Sequence, residues 1–519
     1  MIANADAQLA RAVELHRLQD LEGAAALYEQ VILGDPHNFL AHHALGAIRA
    51  GAGQTAKALP LLRRAARLAP GNAEVQANLG AALLELNRFD DAEAAIRRAI
   101  DLDAGAVEAY SHLGKLLSRR FRHAEAVAAY RVARDRMPED AIAQFNLGYA
   151  LLQAEQPHAA IDCLRRAVQI EPCYATFRTG LAQALAAAGE REAALAEAGR
   201  AIALDPGNPD PRQVEYAVLL AAGDWEAGWN KYEDRAIGRA GLFFCDGSGL
   251  PRWQGEDLAG KRLLLHAEQG LGDTLQFIRY LPLVKARGPA AIVLAVQPVL
   301  RDFLGVDSEA DSVIGFDEPH PPVDLHCPIM SLPRLFGTRI DTVPAEPGYL
   351  RRHLREQPRI ATAIGTVARP RVGLVWSANP LVKSGPGRSI PLPSLAPLLA
   401  LDAVNFIVLQ AEISSEDAAC LATLPRITTL AGDIADKAAA IDALDLVVSV
   451  DTSMAHLAAG LGVPCWIPLP ERADWRWLEQ RSDSPWYPCV RLFRQAGGTG
   501  WPPVVARLRE ALERFSAGP

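Results

Sequence analysis

Two patterns of apolar and polar positions divide this chain. For more than two hundred residues the apolar positions read as helices; beyond about residue 260 they gather into short runs that alternate with helical stretches. The first part repeats. Leu45, Leu79, Leu113, Leu147 and Leu181 lie 34 residues apart, and Gly46, Gly80, Gly114 and Gly148 follow them. Ala24, Ala58, Ala92, Ala126, Ala160 and Ala194 keep the same period, as do Pro36, Pro70, Pro138, Pro172 and Pro206, with Ala104 filling the one gap. A fixed period of this length is the mark of a repeat architecture. Each part has a physical task. The Leu-Gly pair lets the first helix of a unit approach its neighbour, and the small Ala sits where the second helix crosses the first. The Pro ends the second helix, because it cannot continue the hydrogen-bond ladder. Six units are expected over about residues 3 to 206. A degenerate helix pair containing Gly223-Asp-Trp-Glu-Ala-Gly-Trp229 is expected to cap the array to about residue 240.

The period stops at residues 241–260, which hold five glycines, a proline and two phenylalanines and read as a joint. Strand candidates then follow at Arg262 to Ala267, Ala291 to Val296, Asp324 to Cys327, Arg371 to Trp376, Val404 to Gln410, Ile427 to Leu430, Asp445 to Val450 and Val463 to Leu469. Strands alternating with helices predict parallel, doubly wound sheets. The Pro- and Arg-rich stretch from Asp341 to Pro370 divides this half. The expected organisation is an α-helical solenoid at 1–240, a joint at 241–260, a first α/β lobe at 261–350, a linker at 351–370 and a second α/β lobe at 371–519.

Composition narrows the classes. With 519 residues, half of them apolar, the chain has material for several cores. A net charge of −8 excludes a general nucleic-acid binder, which would need a basic excess to neutralise phosphates. No segment approaches the roughly 20 apolar residues of a membrane span. The opening MIANADAQLARAVEL lacks the basic start and apolar core of a secretory signal. The seven cysteines are scattered and form no CxxC pair, so structural disulfides and a zinc site are not expected. The reading is a reduced, cytoplasmic protein.

The candidate chemistry begins at EQGLGDTLQF, residues 268–277. An apolar strand precedes it and a helical run follows, and strand, glycine turn and helix together suggest a ligand site. Gly270 and Gly272 would let the turn approach a ligand closely. Asp273 would stand at the start of the helix, either facing a ligand or as a plain helix cap. A second such unit is Asp445-Leu-Val-Val-Ser-Val450, then Asp451, Thr452 and Ser453, then a helix carrying His456. Free N–H groups at that helix start would seat a phosphate, with the Thr452 and Ser453 hydroxyls adding donors and His456 within reach. The plainer alternative makes Asp451 an N-cap and His456 a core residue. Between the two units, the loop from Trp376 to Ser389 carries Lys383 and Arg388. These are natural partners for charge building on a leaving phosphate, or else solvated loop charges. Gln269, Gln276 and Asn379 are candidate hydrogen-bonding residues for a sugar or acceptor, and His266 and Glu268 flank the glycine turn. The aromatic cluster Asp474-Trp-Arg-Trp477 and Asp483-Ser-Pro-Trp-Tyr487 could wall one end of a ligand cleft, but reads as structural, holding the last helix, about Pro503 to Arg514, across the lobes. No Asp-x-Asp pair follows a strand in the manner of a divalent-metal site, so no metal is expected.

The 34-residue pattern resembles the tetratricopeptide repeat. Gly270-Leu-Gly-Asp-Thr274, and Val450-Asp-Thr-Ser-Met-Ala-His-Leu-Ala458 with Leu461-Gly-Val-Pro464, are similar to the two motifs of the ADP-heptose:lipopolysaccharide heptosyltransferase family, over about residues 260 to 515. The tandem resembles bacterial repeat-containing protein glycosyltransferases, including the flagellin-modifying kind. The resemblance implies a GT-B fold of two nucleotide-binding lobes and a metal-independent, inverting transfer from a nucleotide-sugar. A nonulosonic acid from a CMP donor is one candidate sugar. It implies Asp273 as the base toward the acceptor hydroxyl, with His266 and Glu268 as alternatives. It implies Lys383, Arg388, Asp451, Thr452, Ser453 and His456 as the nucleotide-sugar site, although the Lys383-Ser-Gly-Pro-Gly loop departs from the Asp-Arg or His-rich version of the relatives. In the repeat family the first helices line a groove for a partner polypeptide, here the acceptor, with flagellin as a candidate. Ile142, Phe145, Tyr149 and Leu152 would then face that groove, or else pack internally. Asn78 and Asn146 occupy the place of the asparagine ladder in the nuclear O-GlcNAc transferases. Two other readings stay open: a transferase acting on lipopolysaccharide or another saccharide, and a non-catalytic repeat scaffold with a transferase-like domain.

Overall fold

The computed structural model describes residues 2–238, 244–245, 249–378, 387–424 and 426–517, with the backbone alone for residues 2–5. Asn379 and Lys383 lie outside the described residues. The chain forms two compact units, Met1–Leu204 and Asp205–Pro519. No helix of the described residues is long and apolar enough to cross a membrane. All seven cysteines are free thiols.

The first unit is a run of helix pairs, such as Phe39–Gly51 with Thr55–Leu68 and Ala141–Gln153 with Pro157–Ile170. The repeat positions do what their side chains allow. A Cβ on Gly80 would stand 2.5 Å from Ile96 Cγ1, one on Gly114 2.7 Å from the Tyr130 ring, and one on Gly148 2.6 Å from Leu164 Cγ. The glycines therefore admit a large side chain from the second helix of the same pair. Ala24, Ala58, Ala92, Ala126, Ala160 and Ala194 are wholly buried. Asn38, Asn72 and Asp140 cap their helices by accepting from the N–H groups of Ala41, Val75 and Ala143. Of the expected groove residues, Ile142 is 60% and Tyr149 42% exposed, while Phe145 is half-buried and stacks on Tyr149 with ring centroids 5.9 Å apart. Leu152 is the exception. It is only 4% exposed and packs in the core with Leu151, Ile161 and Leu164, because its turn of the helix faces the second helix of the pair. Asn146 is half-buried, and Asn78 Nδ2 lies 2.7 Å from His43 Nε2.

The helix pair Pro209–Ala221 and Trp225–Tyr232, expected to cap the solenoid, belongs by its packing to the second unit. Its aromatic side chains decide this. Trp225 stacks on Trp486 at 5.0 Å, and Trp229 meets Trp475 edge-on at 5.3 Å and Phe277 at 6.3 Å. The aromatic cluster near the end of the chain is thus structural, as read.

Two all-parallel sheets build the rest of this unit. The first contains β1 (Arg262–His266), β2 (Ala291–Val296), β3 (Ser312–Gly315) and β4 (Leu325–Pro328), in the order β3-β2-β1-β4. The second contains β5 (Arg371–Val375), β6 (Asn405–Val408), β7 (Ile427–Thr429), β8 (Leu446–Ser449), β9 (Cys465–Leu469) and β10 (Val490–Arg494), in the order β10-β9-β8-β5-β6-β7. All eight expected strands are present. β3 and β10 escaped the reading because β3 holds only two apolar residues, Val313 and Ile314, and Arg491 interrupts the apolar residues of β10. The last helix, Pro502–Ser516, was a candidate brace across the lobes. Instead it packs through Val504, Val505, Leu508 and Leu512 within the second lobe, against β10 and the helical segments Leu392–Leu395 and Ala396–Leu399.

In the first unit, Leu164 is fully buried and fills the space left by Gly148. Leu164→Ala should destabilise that unit by about 2–5 kcal/mol, and Ile161→Val, nearby, by about 0.5–1.5 kcal/mol. Urea titrations followed by circular dichroism would measure both. Equal losses would mean that the pocket at Gly148 collapses around the smaller side chain.

Candidate functional site

Strand order determines where a ligand can enter an open parallel sheet. It enters beyond the carboxyl ends, where connections leave neighbouring strands in opposite directions. In the second sheet this point lies between β5 and β8, and in the first between β1 and β4. The loops after β1, β5 and β8 all line one cavity of about 650 Å³. The two sequence motifs, far apart in the chain, therefore meet.

Their meeting is a close contact between two helix starts. The helix Leu271–Phe277 begins beside the helix Ser453–Gly460, and a Cβ on Gly272 would lie 2.7 Å from His456 Cδ2 and 3.5 Å from Ser453 Cα. Gly272 is thus required by the facing helix. Gly270 has φ −72°, which any residue adopts; its role is to donate its N–H to Asp273 Oδ2 at 2.8 Å. Asp273 is accordingly a cap. It also faces the cavity, and its other oxygen accepts from Arg476. Burial pushes the Asp273 carboxyl above its ordinary range, while the Arg476 guanidinium pulls it back.

Across the cavity, the N-cap of the second helix is Thr452, not Asp451, and among the described residues no side chain caps it. The Thr452 hydroxyl lies 3.1 Å from Ser449 Oγ. Thr452, Ser453 and Met454 line the cavity, so the positive end of this helix's dipole stands at its wall. Asp451 instead lies beside Arg388, whose Nη1 is 3.6 Å from Asp451 Oδ2 and 3.4 Å from its carbonyl oxygen. Burial, with Asp474 nearby, raises the Asp451 carboxyl to about 6, against the pull of Arg388 and Arg476. Arg388 is carried by the end of the loop after β5, where Ser389 Oγ accepts from the Ala378 N–H at 3.0 Å.

His456 is both a core residue and part of the cavity wall. Its ring stacks on Trp477 with centroids 5.5 Å apart, and its Nδ1 lies 2.8 Å from the Tyr487 hydroxyl. Burial and the surrounding guanidinium groups hold its pKa well below the ordinary value. The ring is therefore neutral, and its 3.9 Å approach to Asp451 is no ion pair.

The remaining candidates separate. Gln269 lines the cavity and donates to the Tyr232 hydroxyl at 2.9 Å. Gln276 is fully buried and off the cavity wall; its oxygen accepts from Arg476 Nε at 3.0 Å. Glu268 and His266 turn away as well. The Glu268 carboxylate is buried against Arg235 through two hydrogen bonds of 2.8 Å, and His266 lies on the sheet beside His326. A free carboxylate inside the fold would be far costlier than one paired in this way.

Gln410, Glu412, Asp474 and Arg476 are among the cavity residues given no chemical role from the sequence. Arg476 is the most engaged. It donates to Asp474, Gln276 and Asp273 and lies 4.2 Å from the Trp475 ring centroid. The Asp-Trp-Arg-Trp run did display it, but only the fold brings Arg476 opposite Asp273.

Tetratricopeptide-repeat family models match residues 49–118 and residues 9–73, 113–172 and 145–209. Protein FlbA from Caulobacter vibrioides is 30% identical over 322 residues, covering 56% of this chain and 52% of that protein. The chain thus spans about half the length of the curated relative it matches. Among solved structures, PilW, described as a widely conserved type IV pilus biogenesis factor, is 22% identical, with 41% of this chain and 98% of that one covered and a TM-score of 0.38. YrrB, a repeat protein with an unusual peptide-binding site, is 16% identical, with 36% and 97% covered and a TM-score of 0.32. MamA from Desulfovibrio magneticus RS-1 is 20% identical, with 32% and 95% covered and a TM-score of 0.30. The N-terminal region is a solenoid of tetratricopeptide repeats, and over 56% of its length the chain has a homologue in FlbA.

Proposed function

We propose that the second unit is a GT-B glycosyltransferase that moves a sugar from a nucleotide-sugar to a hydroxyl of a protein held by the repeats. The observation that carries this reading is the cavity itself. The switch-point loops of two parallel sheets converge on it, with an uncapped helix start and Arg388 on one wall and Asp273 on the other. In this reading the leaving phosphate sits on the N–H groups of Ser453 and Met454, with the Thr452 and Ser453 hydroxyls beside it and Arg388 balancing its charge. Asp273 takes the proton of the acceptor hydroxyl. Its raised carboxyl suits that role, and Arg476 orients it. Transfer then replaces the bond from the sugar to phosphate by a bond to the acceptor oxygen. No metal enters this scheme.

Tetratricopeptide repeats commonly hold protein partners, and the exposed Ile142 and Tyr149 offer an apolar hold for an acceptor chain. Flagellin is our preferred candidate acceptor, on the resemblance stated above. The non-catalytic scaffold reading draws on one observation: both Asp273 oxygens are already engaged, by Gly270 N–H and by Arg476.

Binding of CMP, UDP, GDP or ADP should raise the melting temperature, by an amount corresponding to about 2.7 kcal/mol at a hundredfold excess over Kd. Arg388→Ala should weaken the nucleotide that binds by about 10–100-fold, the worth of a charged hydrogen bond. No shift with any of the four would remove the donor site from the reading. Asp273→Asn should lower transfer to the acceptor by roughly 10²–10⁴-fold with nucleotide affinity kept; unchanged transfer would eliminate Asp273 as the base.

The pH dependence has a defined sign. Asp451 stands beside the phosphate seat and takes up a proton as pH falls through about 6. Protonation removes a negative charge facing the nucleotide, so affinity should rise between pH 7.5 and 5.5, by at most about tenfold per pH unit for one proton. Isothermal titration of the wild type and Asp451→Asn checks this. A slope equally steep in the variant would assign the effect to the ligand's own phosphate.

A further inference from the structure

Away from the cavity, on the other side of β1, the structure assembles a second set of reactive groups. Cys245, His266 and His326 are all buried, and one ligand atom of each lies within 4.8 Å of the others. They come from three places in the chain: the joint before the first sheet, the last residue of β1, and β4. His266 Nε2 lies 3.0 Å from His326 Nδ1, and the two rings stack at 5.3 Å. Leu264, Val293, Ala295, Ile314 and Val323 pack with Cys245 in one apolar cluster, and Arg252 bridges His326 through the backbone.

We propose that Cys245, His266 and His326 form a binding site for a thiophilic metal ion of the zinc class, which ties the joint to the first sheet. The geometry carries the argument. Two nitrogens on a tetrahedral zinc ion, each at about 2.0–2.1 Å, stand about 3.3 Å apart, and a thiolate at about 2.3 Å stands roughly 3.6 Å from either. The rings are already within a few tenths of an ångström of that spacing, and the sulfur needs to move by about an ångström at most.

The ring nitrogens are also suitably arranged. His266 Nδ1 faces the carbonyl of Ala267 at 3.4 Å. A hydrogen bond from Nδ1–H to a backbone carbonyl leaves the Nε2 lone pair for a metal, as in many histidine sites. On binding, the Cys245 thiol gives its proton to solvent, and the proton between the rings moves to the outer nitrogen of His326. Two metal–nitrogen bonds and one metal–sulfur bond replace the hydrogen bond.

The pattern is absent from the usual sequence signatures because no two ligands are close in the chain. A thiol and two imidazoles are the ligand types that zinc prefers, with the fourth position left for water. The site is independent of the transferase reading, since none of the three residues lines the cavity.

The test uses the full-length chain, stripped with a chelator and titrated with Co²⁺ as the spectroscopic probe. The expected result is saturable, stoichiometric uptake with thiolate-to-cobalt charge-transfer absorption that Zn²⁺ abolishes by displacement. Cys245→Ser should lose that absorption. Removing a residue that merely supports a ligand weakens a metal by about 10–100-fold, so His326→Gln, which removes a ligand, should weaken Co²⁺ binding by more than about 100-fold. No charge-transfer band in the folded native chain overturns the proposal. So does a band that survives in Cys245→Ser, which would assign it to another cysteine, or unchanged affinity in His326→Gln. If Cys245→Ser fails to fold, the native titration and His326→Gln still decide.

Discussion

The cavity depends on one close contact, that of the helix starting at Leu271 with the helix starting at Ser453. It is possible only because residue 272 has no side chain, so that His456 can lie where a Cβ would otherwise stand. His456 in turn is held by the Tyr487 hydroxyl and the face of Trp477. A dense interior yields little to such a clash, so the spacing of the two turns is rigid. Asp273 and Asp451 are positioned by this contact although they lie on different sheets.

Buried charge is the second constraint. Arg235 with Glu268, and Arg476 with Asp273 and Asp474, place guanidinium groups against carboxylates where water is scarce. Such pairs contribute little net stability, but losing one partner leaves a costly orphan. Their consequence is directional. Arg235 fastens the Trp225–Tyr232 helix and the turn after it to the loop after β1, and Arg476 fixes which way Asp273 points. The aromatic packing of Trp225, Trp229, Trp475 and Trp486 lies next to these charges, with the Trp475 ring against Arg476.

The repeats follow a different logic. In the helix pairs with Gly46, Gly80, Gly114 and Gly148, the second helix seats a large side chain (Leu62, Ile96, Tyr130 or Leu164) against the glycine of the first, so contacts are local and the unit is built by addition. The second unit is held by strand neighbours that are distant in sequence, and β1 pairs with both β2 and β4.

The same difference explains what could be read from the chain alone. The 34-residue period determined the solenoid, down to which alanines are buried, because each repeat contacts what lies next to it in sequence. Apolar runs pointed to eight of the ten strands, while β3, with only Val313 and Ile314 apolar, and β10, interrupted by Arg491, made no such run. The turns at Gly270 and Asp451 were visible as strand–turn–helix units, since backbone geometry there is local. Tertiary structure decided the rest. It turned Leu152 inward, gave the Trp225–Tyr232 helix to the second unit, moved Glu268 and Gln276 off the cavity wall, and brought Arg476 to Asp273. It also gathered Cys245, His266 and His326 on one sheet face. Each of these outcomes depends on a partner far away in sequence, which no local pattern of side chains encodes.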